Sequence, residues 1–505
     1  MRDGFISVAA GTPKIRVADC RYNAEQIFTL MREADKQGVK VLALPELCLT
    51  GYTCGDLFLQ DTLLRGAEEG LQTILEATRN LEIVTALGLP VWDKWDNKLY
   101  NCAAIIQKGE ILGLIPKVYL PNYGEFYEQR WFASGSGVEH GIELCGQHVS
   151  LCTNQTFACD TMPNLVIGVE ICEDLWAPAP PSVELARKGA TVILNLSASN
   201  ELVGKADYRR SLVTGQSARL MCGYVYADAG EGESTTDVVF TGHNMIAENG
   251  TLLAERRFAT GLTVSEIDVD RLAYERRRMT TFNGQRQADL WRASFSLPLE
   301  ETRLTRAVSP APFVPADAED RAERCNEILK IAALGLKKRL EHTGARTAVV
   351  GLSGGLDSTL AILITAVAMK LLDRPASDGH SGRDHALLRH HRPHPGQRRG
   401  AGPAAGGHPE AHRHRQRGKG PLQGHRPVHG GPLGDLRERP GPGADPGAHG
   451  HRQSERRAGH RHRRPVRAGP GLGHLQRGSY VHVRRQRRHP QDPGAPSGLL
   501  HLRRQ

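Results

Sequence analysis

The stretch NLVIGVEICEDLW, Asn164 to Trp176, decides the reading of the first half of the chain. After Asn164 comes a short apolar run, Leu165 to Val169, too short for a helix, which predicts a strand. Cys172 comes just past that run, after Glu170 and Ile171, at the point where a strand end delivers a side chain to one rim of a sheet. The same grammar recurs outward in both directions. LALPELCLTGY places Glu46 just past an apolar run, and LGLIPKVYLPNYGEFYE closes another run on Lys117. FISVAA, LEIVTALGLPV, ATVILNLS and GYVYADA read as further strands. NAEQIFTLMREADKQG, DTLLRGAEEGLQTILEATRN, PSVELARKG and DYRRSLVTGQSARLMC carry helical periodicity. CAAIIQKGEILGLIPK turns as a hairpin about KGE, and FTGHNMIAENGTLLAERR turns at Asn249–Gly250. Alternating strands and helices predict α/β layers with the sheets covered by helices.

The chemistry available to these three residue types is definite. A cysteine attacks a carbon–nitrogen bond as its thiolate. A carboxylate beside it takes the thiol proton and returns it to departing ammonia. A fixed ammonium stabilises the oxyanion of the tetrahedral intermediate. Taken singly, each residue also has a plain reading: Cys172 as a small buried hydrophobe, Glu46 as a cap or surface charge, Lys117 as a solvated strand end.

The motifs together separate these readings. PELCLTGY, PKVYLPNYGEFYE, GVEICEDLW and NLSASN, in this order, resemble the nitrilase superfamily and within it the glutamine-hydrolysing branch. The resemblance covers roughly residues 4–270. It implies a four-layer α–β–β–α sandwich, with Glu46 as general base, Lys117 as oxyanion stabiliser and Cys172 as nucleophile. It further implies Tyr123, Glu173, Ser199 and Lys205 as glutamine-binding residues, with Glu128 assisting the acid–base step. Lys205 stands where the family more often has arginine, which keeps the charge and loses the bidentate fork. GEGESTTDVVF, Gly230 to Phe240, resembles a structural loop of the branch.

A second unit follows. SPAPFVPADAED, Ser309 to Asp320, reads as part of a linker, and AERCNEILKIAALGLKKRLEHTG as a long amphipathic helix. GLSGGLDS then runs Gly351, Leu352, Ser353, Gly354, Gly355, Leu356, Asp357, Ser358, between the apolar TAVV and the helical TLAILITAVAMKLL. Glycines there let backbone N–H groups approach a polyanion at a helix N-terminus. Asp357 could reach a phosphate-bound Mg²⁺ through water. No Gly-Lys-Ser/Thr follows, so this is not a Walker A loop. It resembles the pyrophosphate loop of ATP pyrophosphatases. A nitrilase-type body joined to such a loop resembles the glutamine-dependent NAD⁺ synthetases. That resemblance implies glutamine, ATP with Mg²⁺, and deamido-NAD as substrates, no cofactor in the glutaminase step, no protein metal site, and homo-oligomers in the intact family. The expected division is 1–275 glutaminase, 276–320 linker, 321–378 the start of a doubly wound synthetase domain, and 379–505 tail.

The tail differs in kind. From Gly379 onward it holds 18 of 22 histidines, with 26 basic and 7 acidic side chains. The body before it carries 39 basic and 48 acidic side chains, a balance of −9 against +19 in the tail. The tail lacks Ile, Phe, Trp, Met, Cys, Thr and Asn, and such a composition cannot offset the entropy of folding. Its expected state is disorder. Shifted GC-rich codons overproduce Arg, Gly, Pro, Ala and His. Codons permitted for Pro465–His482, read one nucleotide later, give LSELALGWATYNGDHM, which is similar to a stretch of the family's synthetase domain. The tail therefore reads as an out-of-frame translation. A basic arm for nucleic acid is the weaker reading, since Tyr480 is its only aromatic residue for stacking on bases. No run approaches a membrane span and the N-terminus lacks a secretory signal pattern, so a cytoplasmic location is expected.

Overall fold

The computed structural model describes residues 3–235, 237–282, 291–374, 387–390 and 481–484. It divides into two compact units, Met1–Ser309 and Pro310–Gln505.

In chain order the first unit contains β1 (Phe5–Thr12), α1 (Cys20–Lys36), β2 (Val41–Ala43), α2 (Asp61–Ala77), β3 (Val84–Asp93), β4 (Lys98–Gln107), β5 (Glu110–Pro116), β6 (Glu139–Leu144), β7 (Gln147–Cys152), β8 (Thr156–Cys159), β9 (Val166–Ile171), α3 (Glu173–Trp176), α4 (Pro181–Arg187), β10 (Val192–Ser197), α5 (Lys205–Leu220), β11 (Gly223–Asp228), β12 (Asn244–Glu248), β13 (Thr251–Arg256), β14 (Gly261–Asp268), α6 (Val269–Arg278) and β15 (Arg292–Phe295). One sheet has eight strands in the order β14-β1-β2-β3-β4-β5-β7-β6, and the other has seven in the order β13-β12-β11-β10-β9-β8-β15.

Three apolar clusters fix the layering. Ile27, Met31, Leu71 and Ile74 of α1 and α2 pack with Leu42, Leu87 and Ile106 of the first sheet. Val8, Val84 and Ile105 of that sheet meet Ile167, Val169, Leu194 and Val225 of the second. Leu185 and Val213 of α4 and α5 cover Ile193, Tyr224 and Met245 on its far side. Helices, sheet, sheet and helices stack as α–β–β–α. Every residue of β9 and β10 is buried, which accounts for their mostly apolar sequences. The β12–β13 hairpin turns at Asn249 (φ +46°) and Gly250 (φ +85°), as Asn-Gly demands.

The linker is shorter than 276–320. The α6 helix runs to Arg278, and β15 adds an edge strand beside β8. Thr305 and Arg306 donate to Glu266, and Arg306 pairs with Glu248 at 2.8 Å. Residues 291–306 are thus tied to the first unit by a sheet edge and buried ion pairs that composition alone does not signal.

The second unit holds α7 (Ala318–Thr343), β16 (Thr347–Leu352), α8 (Leu356–Lys370), β17 (Leu387–His390) and β18 (Val481–Arg484). The three strands form a sheet in the order β17-β16-β18, β17 parallel and β18 antiparallel to β16. Two strands therefore come from the segment expected to be disordered, because their backbones satisfy the edges of β16. The rest of that tail lies outside the described residues. Among the described residues no helix is long and apolar enough to cross a membrane.

Candidate active site

Glu46, Lys117 and Cys172 leave the ends of three different strands and converge. Glu46 and Lys117 have side chains 0 % exposed. The Lys117 Nζ donates to Glu46 Oε1 at 2.5 Å and to Glu128 Oε1 at 2.7 Å. One ammonium thus bridges two buried carboxylates, an arrangement in which each charge depends on the others.

The sequence builds each position through the backbone. Glu46 sits on an irregular segment that crosses β3 at Gly88. A Cβ on Gly88 would lie 2.2 Å from the Leu47 nitrogen and 2.6 Å from the Pro45 oxygen. Glycine is required there by close approach, not by its φ. Asn101 Nδ2 donates to Glu46 Oε1 at 2.7 Å, and the Ala198 N–H donates to Oε2 at 3.1 Å. Lys117 is pinned through its own N–H to the Asn101 carbonyl (2.8 Å) and its carbonyl to the Gly135 N–H (2.8 Å).

Cys172 occupies the turn between β9 and α3 with φ +46° and ψ −100°. That is strained backbone for a residue with a Cβ, of the kind concentrated at functional sites. Its N–H donates to the Leu196 carbonyl at 2.9 Å, which locks the turn to β10. Burial pushes the thiol well above its ordinary range; after burial the strongest influences are the charges of Glu46 and then Lys117, with Glu128 adding to the rise. Cys172 therefore rests as a thiol that needs a base before its sulfur can attack. Lys117 is held well above the ordinary ammonium range, because the attraction of Glu128 and Glu46 outweighs its burial. Burial pushes Glu128 up to about 7, opposed by Lys117. Its Oε1 also accepts the Tyr52 hydroxyl at 2.8 Å, while Oε2 is buried without a partner among the described residues.

The residues implied for glutamine fall into two groups. The Tyr123 hydroxyl donates to Glu173 Oε1 at 2.7 Å, and Tyr123 is 60 % exposed, so this pair stands at the rim. Ser199 is buried; its N–H reaches Asp228 Oδ1 at 2.8 Å and its Oγ accepts from Arg209 at 3.0 Å. Lys205 begins α5, donates to Asn200 and lies over the Trp176 ring at 5.3 Å. Burial lowers its pKa, and Cys172 is among the groups that act on it. The GEGES segment folds as a one-turn helix, Glu231–Glu233, whose Glu233 carboxylate accepts the Tyr52 N–H.

Four contributors escape a sequence reading. Asn101, Tyr52 and the Ala198 N–H act across long separations. Asp174 ties the Cys172 turn to the Lys117 segment, accepting from Ile171 (2.9 Å), Tyr119 (2.8 Å) and Val118 (3.2 Å). The one available signal was Asn101, a polar residue inside the apolar run of β4.

In the second unit, Gly351 and Leu352 close β16, Gly354 has φ +81°, and α8 starts at Leu356 with Gly355 as its N-cap. Ser353 Oγ and Ser358 Oγ lie 3.4 Å apart, the Ser358 hydroxyl donates to the Gly355 carbonyl at 2.9 Å, and Asp357 is exposed in the first turn. The loop is a strand-to-helix turn with its backbone open.

A layered sandwich with a buried carboxylate–ammonium pair beside a cysteine turn defines a class, and the comparisons give the family. A model of carbon–nitrogen hydrolases matches residues 7–277, and the chain belongs to that family. A model of NAD synthase matches residues 328–386. The chain is similar to the glutamine-dependent NAD(+) synthetase of Mycobacterium tuberculosis, 41 % identical over 386 residues, covering 74 % of this chain and 57 % of the relative. The Mycobacterium leprae enzyme of the same name is 42 % identical over 387 residues, covering 74 % and 56 %. The chain thus spans a little over half the length of these relatives. Among solved structures, a glutamine-dependent NAD+ synthetase from Acinetobacter baumannii in complex with ADP is 23 % identical with a TM-score of 0.45, covering 72 % of this chain and 57 % of that one. An amidase from Nesterenkonia is 20 % identical with a TM-score of 0.42, covering 55 % and 98 %.

Proposed function

We propose that the first unit hydrolyses glutamine to glutamate and ammonia, as the glutaminase part of a glutamine-dependent NAD⁺ synthetase. The observation that carries this reading is the buried Glu46–Lys117 contact acting on the thiol of Cys172. Glu46 takes the thiol proton as sulfur attacks the carboxamide carbon. Lys117 meets the oxyanion, and the proton returns to nitrogen as ammonia leaves. Water, deprotonated by Glu46, then opens the thioester. Glu128, through Lys117, holds the ammonium in place. Glu173 with Tyr123 suits the α-ammonium of glutamine, and Lys205 with Ser199 suits its α-carboxylate.

In complete glutamine-dependent NAD⁺ synthetases the ammonia amidates an adenylated deamido-NAD at the expense of ATP. For this chain the loop Gly351–Ser358 supports ATP binding: open glycine backbone, two hydroxyls and a helix N-terminus suit phosphates. Asp357 is a single carboxylate, and no group of three metal-ligating side chains occurs among the described residues, so Mg²⁺ would be held chiefly by ATP phosphates and water. The synthetase match ends at residue 386, inside the Arg/His/Gly/Pro-rich segment that begins at Gly379, which supports a synthetase step that does not run in this polypeptide. The second reading is an amidase acting on its own, favoured by a first unit that contains all the catalytic groups.

The experiment is an ammonia-release assay with glutamine on the full chain and on Cys172→Ala. Release abolished by the substitution is expected, and equal release by both would overturn the reading. NAD⁺ formation from deamido-NAD, ATP, Mg²⁺ and free ammonia is expected to be absent.

A further inference from the structure

Asp174 has no part in the bond changes, yet it touches the segments that carry two of the reacting groups. It lies in the short helix α3 and is 1 % exposed. Oδ2 accepts the N–H of Ile171, the residue before Cys172, at 2.9 Å. Oδ1 accepts the N–H groups of Tyr119 at 2.8 Å and Val118 at 3.2 Å, the two residues after Lys117. One carboxylate therefore joins the end of β9 to the end of β5. No carbonyl or amide could replace it, because only a carboxylate presents acceptors on both oxygens.

The two segments need such a tie. Cys172 holds a strained φ of +46°, a conformation that persists only where its surroundings impose it. Lys117 is anchored through its N–H to Asn101 and through its carbonyl to Gly135, while the N–H groups of Val118 and Tyr119 downstream are held by Asp174. The lysine must meet an oxyanion that forms only after sulfur has bonded to carbon, so its aim relative to the sulfur sets the rate of acylation.

We propose that Asp174 is a positioning residue that sets the placement of the Lys117 ammonium relative to the Cys172 sulfur. This rests on the amidase reading given above. An asparagine keeps the shape but offers one acceptor oxygen and one NH₂, so it can hold one strand end and must face a donor with a donor at the other. The expected consequence is loss of alignment with the thiol itself intact. Alkylation of Cys172 needs the sulfur and a base to deprotonate it, whereas turnover needs in addition an ammonium aimed at the oxyanion.

The test compares the full chain with Asp174→Asn for glutamine turnover, and for the rate and stoichiometry of Cys172 alkylation by iodoacetamide. Turnover is expressed per alkylatable Cys172, which removes any unfolded fraction. The expected result is a fall in kcat of about 100-fold, with KM and the alkylation rate each within about threefold. Unchanged kcat per alkylatable thiol, or alkylation falling in step with kcat, would overturn the proposal. Should Asp174→Asn fail to fold, Asp174→Glu keeps both acceptors with one methylene more; a fall in kcat of roughly tenfold is expected, and an unchanged kcat would again overturn it. A wild-type chain that turns over a simple aliphatic amide but not glutamine removes the glutamine reading alone, and the same comparison is then made on that amide. Turnover of neither removes both.

Discussion

Replacing Lys117 by methionine separates the structural use of one buried ammonium from the catalytic use proposed for it. In the native site Nζ lies 2.5 Å from Glu46 and 2.7 Å from Glu128, all three side chains being fully or almost fully buried. Methionine preserves the volume and removes the cation, which leaves two carboxylates facing one another. Breaking a buried ion pair from one side costs about 3–5 kcal/mol. At about 2–4 °C per kcal/mol for a large domain, the melting temperature of the first unit should fall by roughly 6–20 °C at neutral pH. The pH dependence follows from the signs. In the wild type the pKa of Lys117 is raised, so its contribution is fully present below the ordinary lysine value and is lost only in strongly alkaline solution. Between pH 5 and 8 it is constant. In Lys117→Met one of the two carboxylates must keep a proton, and its pKa rises. Stability tied to a raised carboxyl pKa is lost as pH rises through that pKa, so the deficit must be larger at pH 8 than at pH 5. Glutaminase activity should fall at least 100–1,000-fold, as for loss of an oxyanion donor. Thermal melts at the two pH values with an ammonia assay at each make the measurement. A deficit below about 2 °C, on the same scale, or one equal at both pH values, would refute the reasoning.

Three further outcomes follow from the same geometry. Gly88→Ala should cost about 1–3 kcal/mol by overpacking and at least 100-fold in kcat, because the new methyl must displace the Pro45–Leu47 backbone that carries Glu46; circular-dichroism melts and turnover check both. Glu128→Gln should remove an inflection near pH 7 from the pH–rate profile, because burial pushes Glu128 up to about 7. Its raised pKa makes its contribution present below the ordinary glutamate value and lost as pH rises toward 7, so melts should favour the variant increasingly from pH 5 to pH 8. Lys205→Met should raise the KM for glutamine about 10–100-fold, the worth of a charge-assisted hydrogen bond, and leave the KM of an amide without an α-carboxylate within about threefold on the same scale.

The layering was legible because the two-sided burial of β9 and β10 writes itself as mostly apolar sequence, and because helices between them kept their period. Glu46, Lys117 and Cys172 stood out as polar residues where such runs stop. Other features are carried by tertiary contact and leave weaker traces. Gly88 reads as one more strand glycine until the Pro45–Leu47 backbone lies against it. Asp174 reads as a first-turn helix carboxylate until the N–H groups of Val118 and Tyr119 arrive from 56 and 55 residues away. The edge strand β15 lies in a segment rich in charged and proline residues, where composition suggested only a linker. Pairing of β17 and β18 with β16 had no local signal, since four residues in an Arg/His-rich setting carry no period of their own.

The most direct test of the account is the covalent state of Cys172 during turnover. Full-length protein mixed with glutamine, quenched in acid within one turnover and digested, should show the Cys172 peptide heavier by the mass of glutamine less ammonia, and Glu46→Gln should abolish the adduct. Steady ammonia release with no adduct on Cys172, or with the adduct on another residue, would contradict it.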